Sequence, residues 1–166
     1  MSFVRTDPHV PGIPLFVFFK VNIIRLGFGV LLIPLIGQPT LHMESLEIKA
    51  TNDTPRVILD PANELFEISG RSLPEDVVTF YQPILDWIDQ YSLHALPRTE
   101  FVFRYLYFNT ATSKLVQDIL FRLESLHESG HPVVIQWYFE QDDEDMYDLG
   151  LEFKENVNLP FEIIPF

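Results

Sequence analysis

Three times after residue 63 a short β-type run gives way, across a few polar residues, to an amphipathic stretch, and the chain closes on a fourth apolar run. That alternation constrains the fold most, because strand-helix-strand units run their strands parallel with right-handed crossovers. The runs are ELFEIS (64–69), EFVFRYLYF (100–108), PVVIQWYF (132–139) and FEII (161–164). A further run, RVILD (56–60), is separated from the first by Pro61, Ala62 and Asn63, a turn-forming pattern that predicts a hairpin.

Between these runs lie three helices. Ser72 with Glu75 three residues on reads as a capping box, with Pro74 in the first turn. Val77, Tyr81, Ile84, Ile88 and Tyr91 then recur at helical spacing, with Pro83 inside the run. Residues 113–129 form the second helix, with Leu115, Ile119, Leu123 and Leu126 on one face and Gly130 as its stop. The third is expected over 143–155 with Met146, Leu149 and Phe153 inward. EFVFRYLYF is apolar at both alternating faces apart from Arg104, the pattern of a central strand covered on both sides. The expected fold is therefore α/β, a single domain with a mixed, largely parallel sheet flanked by helices.

Parallel topology sends every strand-to-helix loop to the carboxyl edge of the sheet, where open α/β sheets place their sites. The loops are GRSLPE (70–75), NTATSK (109–114) and EQDDEDM (140–146). Candidate functional residues are accordingly Arg71, Ser72, Asn109, Thr110, Thr112, Ser113, Lys114, Asp142, Asp143, Glu144 and Asp145. Each group also has a plainer reading. Asn, Thr and Ser are preferred helix caps, and carboxylates complement the positive end of a helix dipole. The acidic run lacks the alternating ligand spacing of a Ca²⁺ loop. His9, His42, His94, His127 and His131 form no i,i+4 pair and read as loop or surface residues. No Gly-x-Ser-x-Gly elbow, Walker loop or Gly-x-Gly-x-x-Gly fingerprint occurs. From the residues alone, a small metal-dependent enzyme remains an alternative, with Asp142, Asp143 and Asp145 as ligands and Thr110 as nucleophile.

Charge separates two regimes. Residues 1–42 carry Arg5, Lys20 and Arg25 against Asp7, and the remaining 124 residues carry 23 acids and 8 bases, within a net charge of −13. So acidic a chain is a poor match for nucleic acid and a better one for protein partners. The 166 residues contain no cysteine, which removes thiol chemistry and fits a cytoplasmic setting. Gly12–Gly37 is a mostly apolar stretch long enough to span a bilayer. Lys20 and Arg25 fall inside it, each costing about 2.5–3.5 kcal/mol near a bilayer centre. Three readings compete for this extension: a membrane anchor, a secretory signal, or a translated stretch ahead of a start at Met43. The third is preferred, with 43–166 as the functional domain, and association with membranes through 12–37 is the expectation under the first.

GRSLPEDVVTFYQPILDWIDQY, YFNTATSK, WYFEQDDEDMYDLGLEF and LPFEII, in that order, resemble the SiaC family of bacterial regulatory phosphoproteins. The resemblance covers about residues 43–166. It implies a STAS-like, non-enzymatic switch protein without a cofactor, phosphorylated by a cognate serine/threonine kinase and dephosphorylated by a PP2C-type phosphatase. In its unphosphorylated form such a protein binds a diguanylate cyclase or another output protein, which raises cyclic di-GMP and favours biofilm growth or aggregation. The family's acceptor is the threonine of an Asn-Thr-Ser-Ser motif, which matches Thr110. Ala111 and Thr112 replace the two serines, which leaves Thr112 and Ser113 as competing acceptors.

Overall fold

The computed structural model describes Val21–Leu26, Gly29–Pro34 and Met43–Phe166. The chain divides into two compact units, Met1–Thr40 and Leu41–Phe166. In the first, strands β1 (Val21–Leu26) and β2 (Gly29–Pro34) pair antiparallel, with Leu26 opposite Gly29. These residues lie inside the stretch considered above as a membrane span. They form strands instead of a spanning helix, and among the described residues no helix is long and apolar enough to cross a membrane.

The second unit holds a six-stranded sheet whose spatial order equals its chain order: β3 (Leu46–Ile48), β4 (Arg56–Asp60), β5 (Leu65–Ser72), β6 (Thr99–Phe108), β7 (Val133–Phe139) and β8 (Phe161–Pro165). The first two pairings are antiparallel and the last three parallel. The β4–β5 hairpin turns where expected. Asp60 Oδ1 accepts from the backbone N–H groups of Ala62 and Asn63 at 3.0 and 3.3 Å, and Glu64 takes the positive φ of 56°. Strand β3 escapes the sequence reading, since three residues carry no legible period.

Helices α1 (Val77–Tyr91), α2 (Thr110–Glu128) and α3 (Glu144–Glu155) occupy the three crossovers. Because each right-handed crossover advances one strand in the same direction, all three fall on the same face of the sheet. The side-chain contacts agree. Tyr81 of α1 bonds Tyr105, and Trp137 lies tilted against Tyr105 while its Nε1 donates to the Met146 carbonyl of α3. Phe66, Ile68, Phe101, Phe103, Tyr105, Ile135 and Trp137 are buried on that face. Val102, Arg104, Val134, Gln136 and Tyr138 alternate with them and are only half-buried on the other. The expectation of a central strand covered on both sides is thus corrected. Its second face is apolar for a different reason: Arg104 lies over the Tyr138 and Phe166 rings at 4.5 and 5.3 Å, a cation–π cluster on the face opposite α1, α2 and α3.

α3 docks through a glycine. A Cβ on Gly150 would sit 2.6 Å from Trp137 Cδ1 and 2.7 Å from its Nε1, inside contact distance of a buried ring. Gly150→Ala is expected to destabilise the domain by about 1–3 kcal/mol, because the rigid indole must shift in a filled core. Urea unfolding checks this, and a midpoint equal to wild type would contradict it.

Candidate functional site

β6 is where sequence alternation breaks. In the β5–β6 pairing Gly70 faces Tyr105 and Arg71 faces Tyr107, so Leu106 is an extra residue. This is a β-bulge, and Gly70 beside it carries a φ of 98° that suits glycine. A one-residue insertion resets which side chains face the core. Leu106 and Tyr107 are consequently 46% and 49% exposed in succession, while Phe108 returns to the interior. Across the strands, the Arg71 guanidinium lies 5.7 Å from the Tyr107 ring centre. Two apolar anchors and an arginine therefore stand just ahead of the polar stretch at 109.

That stretch is shorter as a loop than its composition suggests. Asn109 is the N-cap of α2, its Oδ1 accepting from Thr112 N–H at 2.9 Å, and Thr110 is the first helical residue. The expected start at 113 moves back by three. Thr110, Ala111 and Lys114 are exposed, and Ser113 is half-buried with its N–H donating to the Asn109 carbonyl at 3.0 Å. α2 has no acid in its first turn, so beyond the neutral Asn109 cap no carboxylate there offsets the positive end of its dipole.

Two expected surface residues are interior. Ser72 and Thr112 are fully buried and cannot touch a partner in this conformation. Nor does Ser72 cap α1; it is the last residue of β5, and Asp76 is the N-cap, accepting from Thr79 N–H at 3.0 Å. Pro74 and Glu75 precede the helix instead of entering its first turn. Ser72 and Thr112 meet in a buried cluster of hydroxyls. Ser72 Oγ lies 2.8 Å from Tyr81 OH and 3.1 Å from Thr112 Oγ1, Tyr81 OH lies 3.0 Å from Tyr105 OH, and Thr112 Oγ1 donates to the Ser72 carbonyl at 3.2 Å. One proton assignment satisfies all four: Tyr105 donates to Tyr81, Tyr81 to Ser72, Ser72 to Thr112, and Thr112 to the carbonyl.

Burial pushes both phenols up, Tyr105 well above its ordinary range. The unfolded chain releases these protons from about pH 10, while the fold holds them to higher pH. Stability from this cluster is therefore complete below pH 10 and is lost as pH rises above it. Denaturation midpoints between pH 8 and 11 should fall at the alkaline end, and less steeply in Tyr105→Phe; parallel curves would refute the assignment.

The acidic loop has its own structural tasks. Asp143 is the N-cap of α3, accepting from Met146 N–H at 2.9 Å, with Glu144 and Asp145 in the first turn and Asp142 exposed before it. The carboxylates splay around a helix start. Among the described residues no group of three or more histidines or acids is placed to hold a metal. No hydrogen bond or ion pair among the described residues joins 142–145 to 109–114. What they share is the carboxyl edge, where Tyr147 in α3 and Val78 in α1 are also exposed. The histidine default needs one amendment: His127 Nδ1 accepts from Val133 N–H at 3.1 Å, an internal role.

The carboxyl edge thus presents an exposed threonine at the start of α2, with the exposed Leu106 and Tyr107 shortly before it in the chain, on a mixed α/β domain. The family profile for SiaC family regulatory phosphoproteins matches residues 48–166, and the chain belongs to that family. An uncharacterized Pseudomonas aeruginosa protein is 31% identical over 121 residues, 73% of this chain and 96% of its own length. The crystal structure of apo-SiaC from Pseudomonas aeruginosa superposes with a TM-score of 0.68 at 31% identity, over 74% of this chain and 99% of that one. SiaC as the activator bound to the diguanylate cyclase SiaD, also from Pseudomonas aeruginosa, gives a TM-score of 0.69 at 30% identity, over 73% and 99%.

Proposed function

We propose that this chain is a non-enzymatic switch whose unphosphorylated carboxyl edge binds and regulates a diguanylate cyclase, and whose Thr110 is the site of reversible phosphorylation. The observation that carries the reading is the position of Thr110: exposed, first in α2, with an acid-free first turn behind it and Leu106 and Tyr107 beside it. The helix N-terminus offers free N–H donors and dipole for a phosphate, and Lys114 adds a cation one turn on. A structural relative bound to a diguanylate cyclase supports the cyclase as output partner. A cognate serine/threonine kinase writes the phosphate and a PP2C-type phosphatase removes it.

Arg71, Asn109, Ser113, Lys114, Asp142, Glu144 and Asp145 form the polar part of the docking surface, and Leu106 and Tyr107 its apolar part. Protein isolated from its native cells is expected to carry phosphate on Thr110 in a fraction of molecules and to co-purify with a cyclase in the remainder. Peptide mass spectrometry of the bound and unbound pools tests it. Equal phosphate occupancy in both pools would overturn the proposal.

A further inference from the structure

Three of the four buried hydroxyls, on Ser72, Tyr81 and Tyr105, stand where Ala and Phe of matching size would fill the core with no hydroxyl to satisfy, while Thr112 also supplies the Ser72 carbonyl with its donor. Buried polar networks of this kind serve register better than stability, because each member needs its neighbours in one arrangement. Here the members come from four elements: Ser72 ends β5, Tyr81 lies in α1, Tyr105 in β6 and Thr112 in the first turn of α2. Every one of these elements meets the carboxyl edge.

Two neighbours give the network a direction. Thr110 and Thr112 are two residues apart on a helix, about 200° around its axis, so one faces out when the other faces in. Arg71 and Ser72 are consecutive in a strand and likewise point to opposite sides. Thr112 also donates its own N–H to the Asn109 cap, so cap and network converge on a single residue.

We propose that the chain of hydroxyls Tyr105–Tyr81–Ser72–Thr112 is a positioning clamp: it locks the first turn of α2 to the end of β5, holding Thr110 and Arg71 outward at a fixed spacing. Thr112 is then a positioning residue and not a second phosphate acceptor, a part of the inference that rests on the switch reading of Thr110. Replacing Thr112 by Val leaves Ser72 Oγ without its acceptor and the Ser72 carbonyl without its donor. Replacing Tyr81 by Phe keeps the ring and its packing but strands the Tyr105 proton. Both changes strike the same segment from different helices, which simple loss of a local contact would not do.

Hydrogen exchange on the full chain, read by mass spectrometry, is the test. In Thr112→Val and Tyr81→Phe, amides over 109–116 are expected to exchange about tenfold faster, with peptides over 133–139 within about twofold of wild type. Thr112→Ser, which restores the hydroxyl, should return to wild-type exchange. Unchanged exchange at 109–116 in either variant, or acceleration spread evenly over the chain, would overturn the clamp. Phosphopeptide mapping of protein from native cells provides the second arm: phosphate on Thr112 overturns its assignment as a positioning residue. Phosphate on neither threonine removes the switch reading, while the exchange data still decide the clamp.

Discussion

With Thr110 as the proposed switch, protein carrying phosphothreonine there is expected to bind the proposed cyclase partner about a hundredfold more weakly than the unmodified protein, a difference of about 2.7 kcal/mol. Two effects act in opposite directions at this site. Within the chain, the phosphate's charge of about −1.5 to −2 is tolerated, because α2 begins at Thr110 with no acid in its first turn. At a docking surface the same group must shed water beside Leu106 and Tyr107, which are half exposed and suited to burial against a partner. It also adds to an edge that already carries Asp142, Glu144 and Asp145 on the neighbouring loop. A partner face fitted to a neutral threonine hydroxyl offers the phosphate no matching cation, so the group is desolvated without a pair and affinity falls.

The intramolecular terms stabilise the phosphoprotein in both its free and bound forms, so they cancel in the binding difference, and the interfacial terms do not. Titration calorimetry of the cyclase against protein with genetically encoded phosphothreonine at 110 measures the effect, with Thr110→Ala as the control that should bind as wild type. A difference below threefold at low salt would sink the switch.

How much of this was legible depends on the range over which each feature is determined. Helix and strand order could be read because periodicity is local: Val77 to Tyr91 repeat at helical spacing, and α1 buries Tyr81, Ile84, Ile88 and Tyr91 as that spacing requires. The site was harder. Leu106 and Tyr107 read as two more apolar residues of a central strand, and their exposure follows from a bulge set against Gly70 some thirty-five residues earlier. An isolated glycine inside a strand was the available signal. Ser72 read as a cap because capping chemistry resembles any Ser-x-x-Glu, yet the bulge carries β5 on through Ser72 and moves the helix start to Val77. Starting α2 at 113 instead of 110 hid the opposed faces of Thr110 and Thr112. The one-sided placement of the helices depends on strand order, which no local pattern encodes.

The acidic loop is held at the carboxyl edge of the sheet by the seating of α3, and that seating runs through Trp137. Its ring is fully buried, with the Phe103, Tyr105, Phe108 and Phe153 rings 5.3 to 6.2 Å away, centre to centre. Its Nε1 donates to the Met146 carbonyl at 3.0 Å, and Gly150 leaves the gap that the indole fills. Trp137→Ala is expected to cost about 3–5 kcal/mol, the range for deleting a large aromatic from a core that cannot collapse. Trp137→Phe keeps most of the packing and loses the hydrogen bond, so it should cost less than half as much. The Gly150→Ala penalty arises from the same indole, so it should disappear in a Trp137→Ala background, a coupling that a double-mutant cycle reads directly. Urea unfolding of the two single variants and the double variant decides it. Additive losses would mean that Gly150 answers to something other than Trp137, and a Trp137→Ala cost under 1 kcal/mol would mean that α3 is held elsewhere.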